Sequence, residues 1–238
     1  MFDSDALAVL VGSMLLVRSC YRPVTSLMTW FFGTRYTSLR AFERAYCAKN
    51  TIKALVLALL TPRVLGVLWA IAVEQDWEGH GRQIRSMGSI YAATDIVALG
   101  KFGRKLPLNT FLHHSCVLVL GVLNLFMDYG APAAAASPWR HMAVLAGLSI
   151  PTYLVNVYLA LRRLRVYPRA LAGVSLGVYA PFVLCNMAYK GSIVVAHGPS
   201  ISTVLFGGVV VTIFMDDVKL MSHLWKRMQK GTYRLKLK

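Results

Sequence analysis

Charge of one sign is what this chain has least of. It carries 10 acidic residues against 26 lysines and arginines, and charged residues of both signs make up only 15% of its 238 positions. So few charges, with 56% hydrophobic residues and a mean hydropathy of +0.53, exclude an ordinary soluble domain. The four cysteines (Cys20, Cys47, Cys116 and Cys185) stand singly, without a CxxC pair or any metal-ligand spacing. They are read as reduced and structural. No ten-residue segments alternate between polar and apolar, so a membrane β-barrel is excluded. The N-terminus lacks both the positive charge of a secretory signal and the arginine-rich, acid-poor character of a transit peptide, having Asp3 and Asp5 instead. The first apolar run is therefore expected to remain in the mature protein.

What the chain has is a series of apolar runs near the length that crosses a bilayer. They predict an all-α, polytopic transmembrane bundle of about seven helices, near residues 5–20, 50–73, 84–100, 106–128, 139–161, 170–190 and 200–225. Segment 24–47, with Trp30, Phe31 and Phe32 beside Arg35, Arg40 and Arg44, reads as a helix in the headgroup region or a continuation of the first run. Residues 1–49 are thus a leading span with a basic, aromatic interfacial segment, 50–230 form the membrane domain, and 231–238 are a basic tail.

The charges test this layout. Loops 18–53, 101–105 and 162–169 and the tail from Lys219 would share one face, with 21 of the 26 basic residues and one acid, Glu43. The opposite face would hold Asp3, Asp5, Glu74, Asp76, Glu78 and Asp128 against Arg82, Arg85, Arg140 and Lys190. The positive-inside rule turns the basic face and C-terminus toward cytosol or matrix, in an endomembrane or the mitochondrial inner membrane. It also accounts for the net charge of +16 without a nucleic-acid partner. Trp139 and Trp225 sit where bilayer anchors sit.

Four charged residues remain inside the runs: Arg63, Asp95, Asp216 and Asp217. Ionisable groups are costly there and mark functional positions. At about 1.5 Å per residue, Asp95 lies about 8 Å from the basic end of its helix, and the pair His113-His114 about 11 Å. Asn156, Asp216 and Asp217 fall at similar depth, so several helices place polar groups in one layer. The two histidines point about 100° apart and so take different partners. Asp95, Asp216 or Asp217 would orient one of them, leaving its other nitrogen free as base or nucleophile; the alternative is a structural network joining helices. His113, His114 and Asp95 are thus the candidate catalytic residues. Arg63, Asn156, Asp216 and Asp217 complete the lipid-binding or structural layer. Arg63, after the helix-kinking Pro62, needs an anion: a buried aspartate is the favoured partner, and a lipid phosphate or carboxylate in a groove is the alternative. No metal or other cofactor is expected, because adjacent histidines diverge.

Three blocks resemble the TLC-domain membrane family, which includes the ceramide synthases. They are Ser89–Asp95 followed by Leu106-Pro107 and His113-His114; Leu148–Asn156; and Phe214–Met221. The likeness covers roughly residues 50–230, and the short, non-synthase branch is the nearer match. It implies a six-helix core with an extra N-terminal helix, and a lipid-facing pocket around His113 and His114. In the synthases that pair is tied to acyl transfer. The chain departs from them in two ways. It has Asn124 and Asp128 rather than a paired-aspartate continuation, and Lys53 stands where the short branch commonly has histidine. The expectation is accordingly a membrane protein that binds or handles lipid, with acyl transfer as the reaction if there is one. The alternative is a non-catalytic accessory subunit of a larger membrane complex. Its expected partners are membrane lipids and, in the second case, other membrane subunits.

Overall fold

A computed structural model of the chain describes residues 3–164, 166 and 168–229, without the side chains of Arg104 and Pro168. The basic tail 231–238 lies outside the described residues. Helix α1 (Ser4–Ser19) starts where the Asp3 carboxylate accepts the Ala6 N–H, and it runs through Cys20 into α2 (Tyr21–Phe32). Gly33, at φ 48°, ends this first long element in a conformation that glycine adopts at little cost. The short α3 (Thr34–Thr37) then leads to α4 (Ala41–Trp69), which a π turn extends over Ala70–Glu74. Helix α5 (Trp77–Phe102) is capped by Asp76, and α6 (Leu108–Asn124) opens after Pro107. After the single turn α7 (Pro132–Ala135) comes α8 (Met142–Ser149). Pro151 sits in the 3₁₀ turn Ile150–Thr152 that separates α8 from α9 (Tyr153–Leu161). The last two helices, α10 (Pro168–His197) and α11 (Ile201–Gln229), form a long antiparallel hairpin.

Packing closes these elements into a ring. Going round, α4 packs on α5, α5 on α6, α6 on α11, α11 on α10, α10 on α9, and α9 back on α4. Helix α8 fills one end of the ring against α10, α5 and α4. Outside it, α1 lies along α5 and α2 along α4. The bundle is all-α, as expected. The seven expected segments all form helix. Among the described residues, five helical stretches are long and apolar enough to cross a membrane: Ser4–Phe32, Ala41–Glu74, Pro138–Leu164, Arg169–His197 and Ile201–Gln229. Leu108–Asn124 is apolar but shorter. Helix α5 carries Glu78, Arg82 and Arg85 in its first half, and α1 covers one of its sides.

Within segment 24–47, residues 24–32 complete α2 and so continue the first run, and residues 41–47 begin α4. One local reading is corrected: Lys190 is not a loop residue. Helix α10 continues past it to His197, and its side chain is fully buried.

Candidate functional site

The ring encloses a cavity of about 440 Å³. Its polar lining comes from α4 (Lys49, Asn50, Lys53), α6 (Thr110, His113, His114), α9 (Asn156) and α11 (Asp216, Asp217). Its apolar lining includes Leu57, Val117, Leu145, Val183 and Ile213. Arg162, which caps the end of α9, and Lys219 and His223 of α11 also line it. His113, His114, Asn156, Asp216 and Asp217 all line this cavity, and Asp95 stands directly behind His114.

The histidines take separate partners, as their angular offset requires. His114 Nδ1 lies 3.1 Å from Asp95 Oδ1, an ion-pair distance although not aligned as a hydrogen bond. Its Nε2 is 3.5 Å from Lys49 Nζ. His113 Nδ1 faces Asp216 Oδ2 at 3.5 Å, and Asp216 also accepts from the Thr110 hydroxyl at 3.3 Å. The two imidazole rings stand edge to face, 5.6 Å apart. Asp95 is 0% exposed, and Lys53 Nζ sits 2.6 Å from its Oδ1. Asp217 accepts a hydrogen bond from the Tyr179 hydroxyl on α10. Near the basic end of the layer, Arg162 donates to His223 Nε2 at 3.1 Å and to the Tyr46 hydroxyl at 3.4 Å.

Two lysines are site residues that sequence reasoning misses. Lys49 and Lys53 read as part of a basic loop, but both are buried inside α4 and line the cavity. Lys190 is buried in α10 with no hydrogen-bond partner for its Nζ among the described residues. Lys53 supplies the cation that holds Asp95, and this direct pairing lowers the cost of burying either charge.

Arg63 is the residue that the layer does not contain. It is exposed on the outer side of α4, and the expected ion pair with a buried aspartate does not form. Positions 57, 64 and 67 of α4 turn inward, which sends 63 outward, and Lys53 already neutralises Asp95. Asn124 is also not a site residue. Its amide donates to the Arg85 carbonyl and its Oδ1 accepts from the Tyr129 hydroxyl, pinning the α5–α6 corner.

Asp95, His113 and His114 offer ligand atoms within 4.8 Å of one another, a grouping that could hold a metal ion. The ammonium groups of Lys53 and Lys49 stand against Asp95 and His114, and their charge opposes a divalent cation there. The arrangement suits a different occupant. A polar group with acceptor oxygens can meet the lysines and the histidines while an apolar chain lies along Leu57, Val117 and Ile213.

No family model, curated protein or solved structure matches this chain.

Proposed function

We propose that this membrane protein binds or handles a lipid, held in the ring cavity with its head group in the histidine–lysine layer. The observation that carries the reading is the cavity itself: about 440 Å³, lined by charged and polar side chains together with apolar ones, inside a bundle of apolar helices. The resemblance to TLC-domain proteins points the same way, since its blocks supply His113, His114, Asn156, Asp216 and Asp217. If the site also performs acyl transfer, His113 is the base or acyl-accepting nucleophile. It lines the cavity, and its Nδ1 faces Asp216 at 3.5 Å without an aligned hydrogen bond, so its Nε2 is the nitrogen offered to substrate. His114, held between Asp95 and Lys49, would then be the positioning residue.

Lipid profiles of cells carrying the wild type, His113→Ala, His114→Ala and the double variant test the catalytic form. A lipid that accumulates or disappears in His113→Ala supports it. An unchanged profile with a correctly folded double variant leaves binding without turnover.

A second reading, a non-catalytic subunit of a larger membrane complex, is favoured by the outer face of α4, where Arg63 is exposed among apolar residues. Extraction in mild detergent tests it. A particle no larger than the 26.3 kDa chain with its detergent contradicts complex membership.

A further inference from the structure

Between Lys53 and Glu74, Arg63 is the only charged residue of α4. That stretch, 54–73, has the length of one bilayer crossing, about 30 Å at about 1.5 Å per residue, and Arg63 is at its middle. It is therefore about 14 Å from either end along the helix. A guanidinium facing hydrocarbon at that depth is costly, and its side chain reaches only part of the way to either headgroup region. It is exposed, and no ion pair or hydrogen bond joins it to another described residue.

The surface beside it has the pattern of a helix seam. Leu55, Leu59, Pro62, Gly66, Trp69 and Val73 follow one another at spacings of four and three residues, and all six are exposed. This is the a/d repeat of a left-handed helix pair, and Arg63 falls at the flanking e position, where interhelical ion pairs form. A Cβ on Gly66 would meet nothing within 4 Å, so a neighbouring backbone could come close there.

We infer that this face of α4 docks a transmembrane helix of another protein, one carrying an aspartate or glutamate at mid-membrane depth. Charge complementarity selects the occupant. A second copy of this chain does not supply the acid. Asp95 and Asp217 are buried, Asp216 faces the cavity, and the remaining acids lie near helix ends or in loops. The inference gives the accessory-subunit reading a partner chemistry, and it is independent of what the cavity binds because the seam faces away from the ring.

The test uses the purified full-length protein in phosphatidylcholine vesicles with synthetic leucine-rich transmembrane peptides, read by energy transfer. One peptide carries a central aspartate, a second is leucine throughout, and a third carries a central lysine. The aspartate peptide is expected to associate about tenfold more tightly than the other two. Arg63→Leu should erase that preference and Arg63→Lys should keep part of it. Arg63→Leu should fold at least as well as wild type, since it removes a charge from an apolar face, and its melting temperature in detergent checks this. Equal association of the aspartate and leucine peptides overturns the inference, as does an unchanged preference in Arg63→Leu. Loss of the preference when phosphatidylglycerol is added also overturns it, by showing Arg63 to be a lipid-phosphate site. If the native protein migrates as a complex while the aspartate peptide gains nothing, complex membership stands and the acid-bearing partner falls.

Discussion

At the residue scale the account turns on Lys53, Asp95 and His114. Lys53 and Asp95 are a buried pair 2.6 Å apart, so removing one partner strands the other. Asp95→Leu should lower stability by about 3–5 kcal/mol, whereas Asp95→Leu combined with Lys53→Met should cost far less than the sum of the two single changes. Thermal unfolding of the four proteins in one detergent measures that coupling. The two histidines should separate in the same assay. His114→Ala removes the group packed between Asp95 and Lys49 and should cost about 1–3 kcal/mol. His113→Ala, whose ring lines the cavity, should leave the melting temperature nearly unchanged and reduce ligand retention instead. The acids of this network were legible in the sequence because an aspartate in an apolar run stands out. Their lysines were not, because a lysine at the edge of an apolar run reads as the start of a loop. Lys49, Lys53 and Lys190 all sit at such edges, and only the extension of α4 and α10 past them shows that they belong inside.

At the element scale, close approach and end-capping decide the packing. On α6 a Cβ added to Gly121 would stand 2.8 Å from the Ala92 side chain of α5, so the two helices touch at a point where only glycine fits. Gly121→Val should force them apart and cost about 1–3 kcal/mol, seen as a lower melting temperature and as faster proteolysis near the α5–α6 corner. The start of α1 is held by Asp3. The Ala6 N–H donated to its carboxylate, and then the Arg85 guanidinium, keep it below the usual aspartate range. A carboxyl group with a lowered folded pKa contributes stability above the ordinary aspartate value of about 4, which is lost as the pH falls through the lower folded value. Amide exchange at the N-terminal turn of α1 should therefore accelerate below about pH 4 in the wild type. In Asp3→Asn that acid-dependent step should disappear. Helix phase was the hardest element property to read from sequence. Helix α4 is apolar on all sides between Lys53 and Glu74, so nothing in its pattern shows that Arg63 faces outward while Leu57, Val64 and Val67 face the bundle. Only the positions of α5 and α9 settle the direction.

At the scale of the whole molecule, the apolar runs made the helical bundle legible, and the shared depth of Asp95, His113, His114, Asn156, Asp216 and Asp217 made the layer legible. The closed ring and its cavity were not, because they depend on which helices are neighbours. The break at Pro151 and the α10–α11 hairpin bring α9 beside α4 and α11 beside α6, and those two contacts close the ring. Its interior brings together cations, histidines and apolar side chains, and the outer face of α4 exposes apolar residues with a single arginine among them. Occupancy of the cavity is the central claim. Its most direct measurement is native mass spectrometry, with lipid extraction, of the full-length protein purified in mild detergent. Wild type should retain about one lipid per chain. Lys49→Glu, which reverses charge beside His114, and Asn156→Trp, which fills the cavity, should each lose it while remaining folded. Wild-type protein free of bound lipid above detergent background, or the same lipid retained by both variants, would contradict the account.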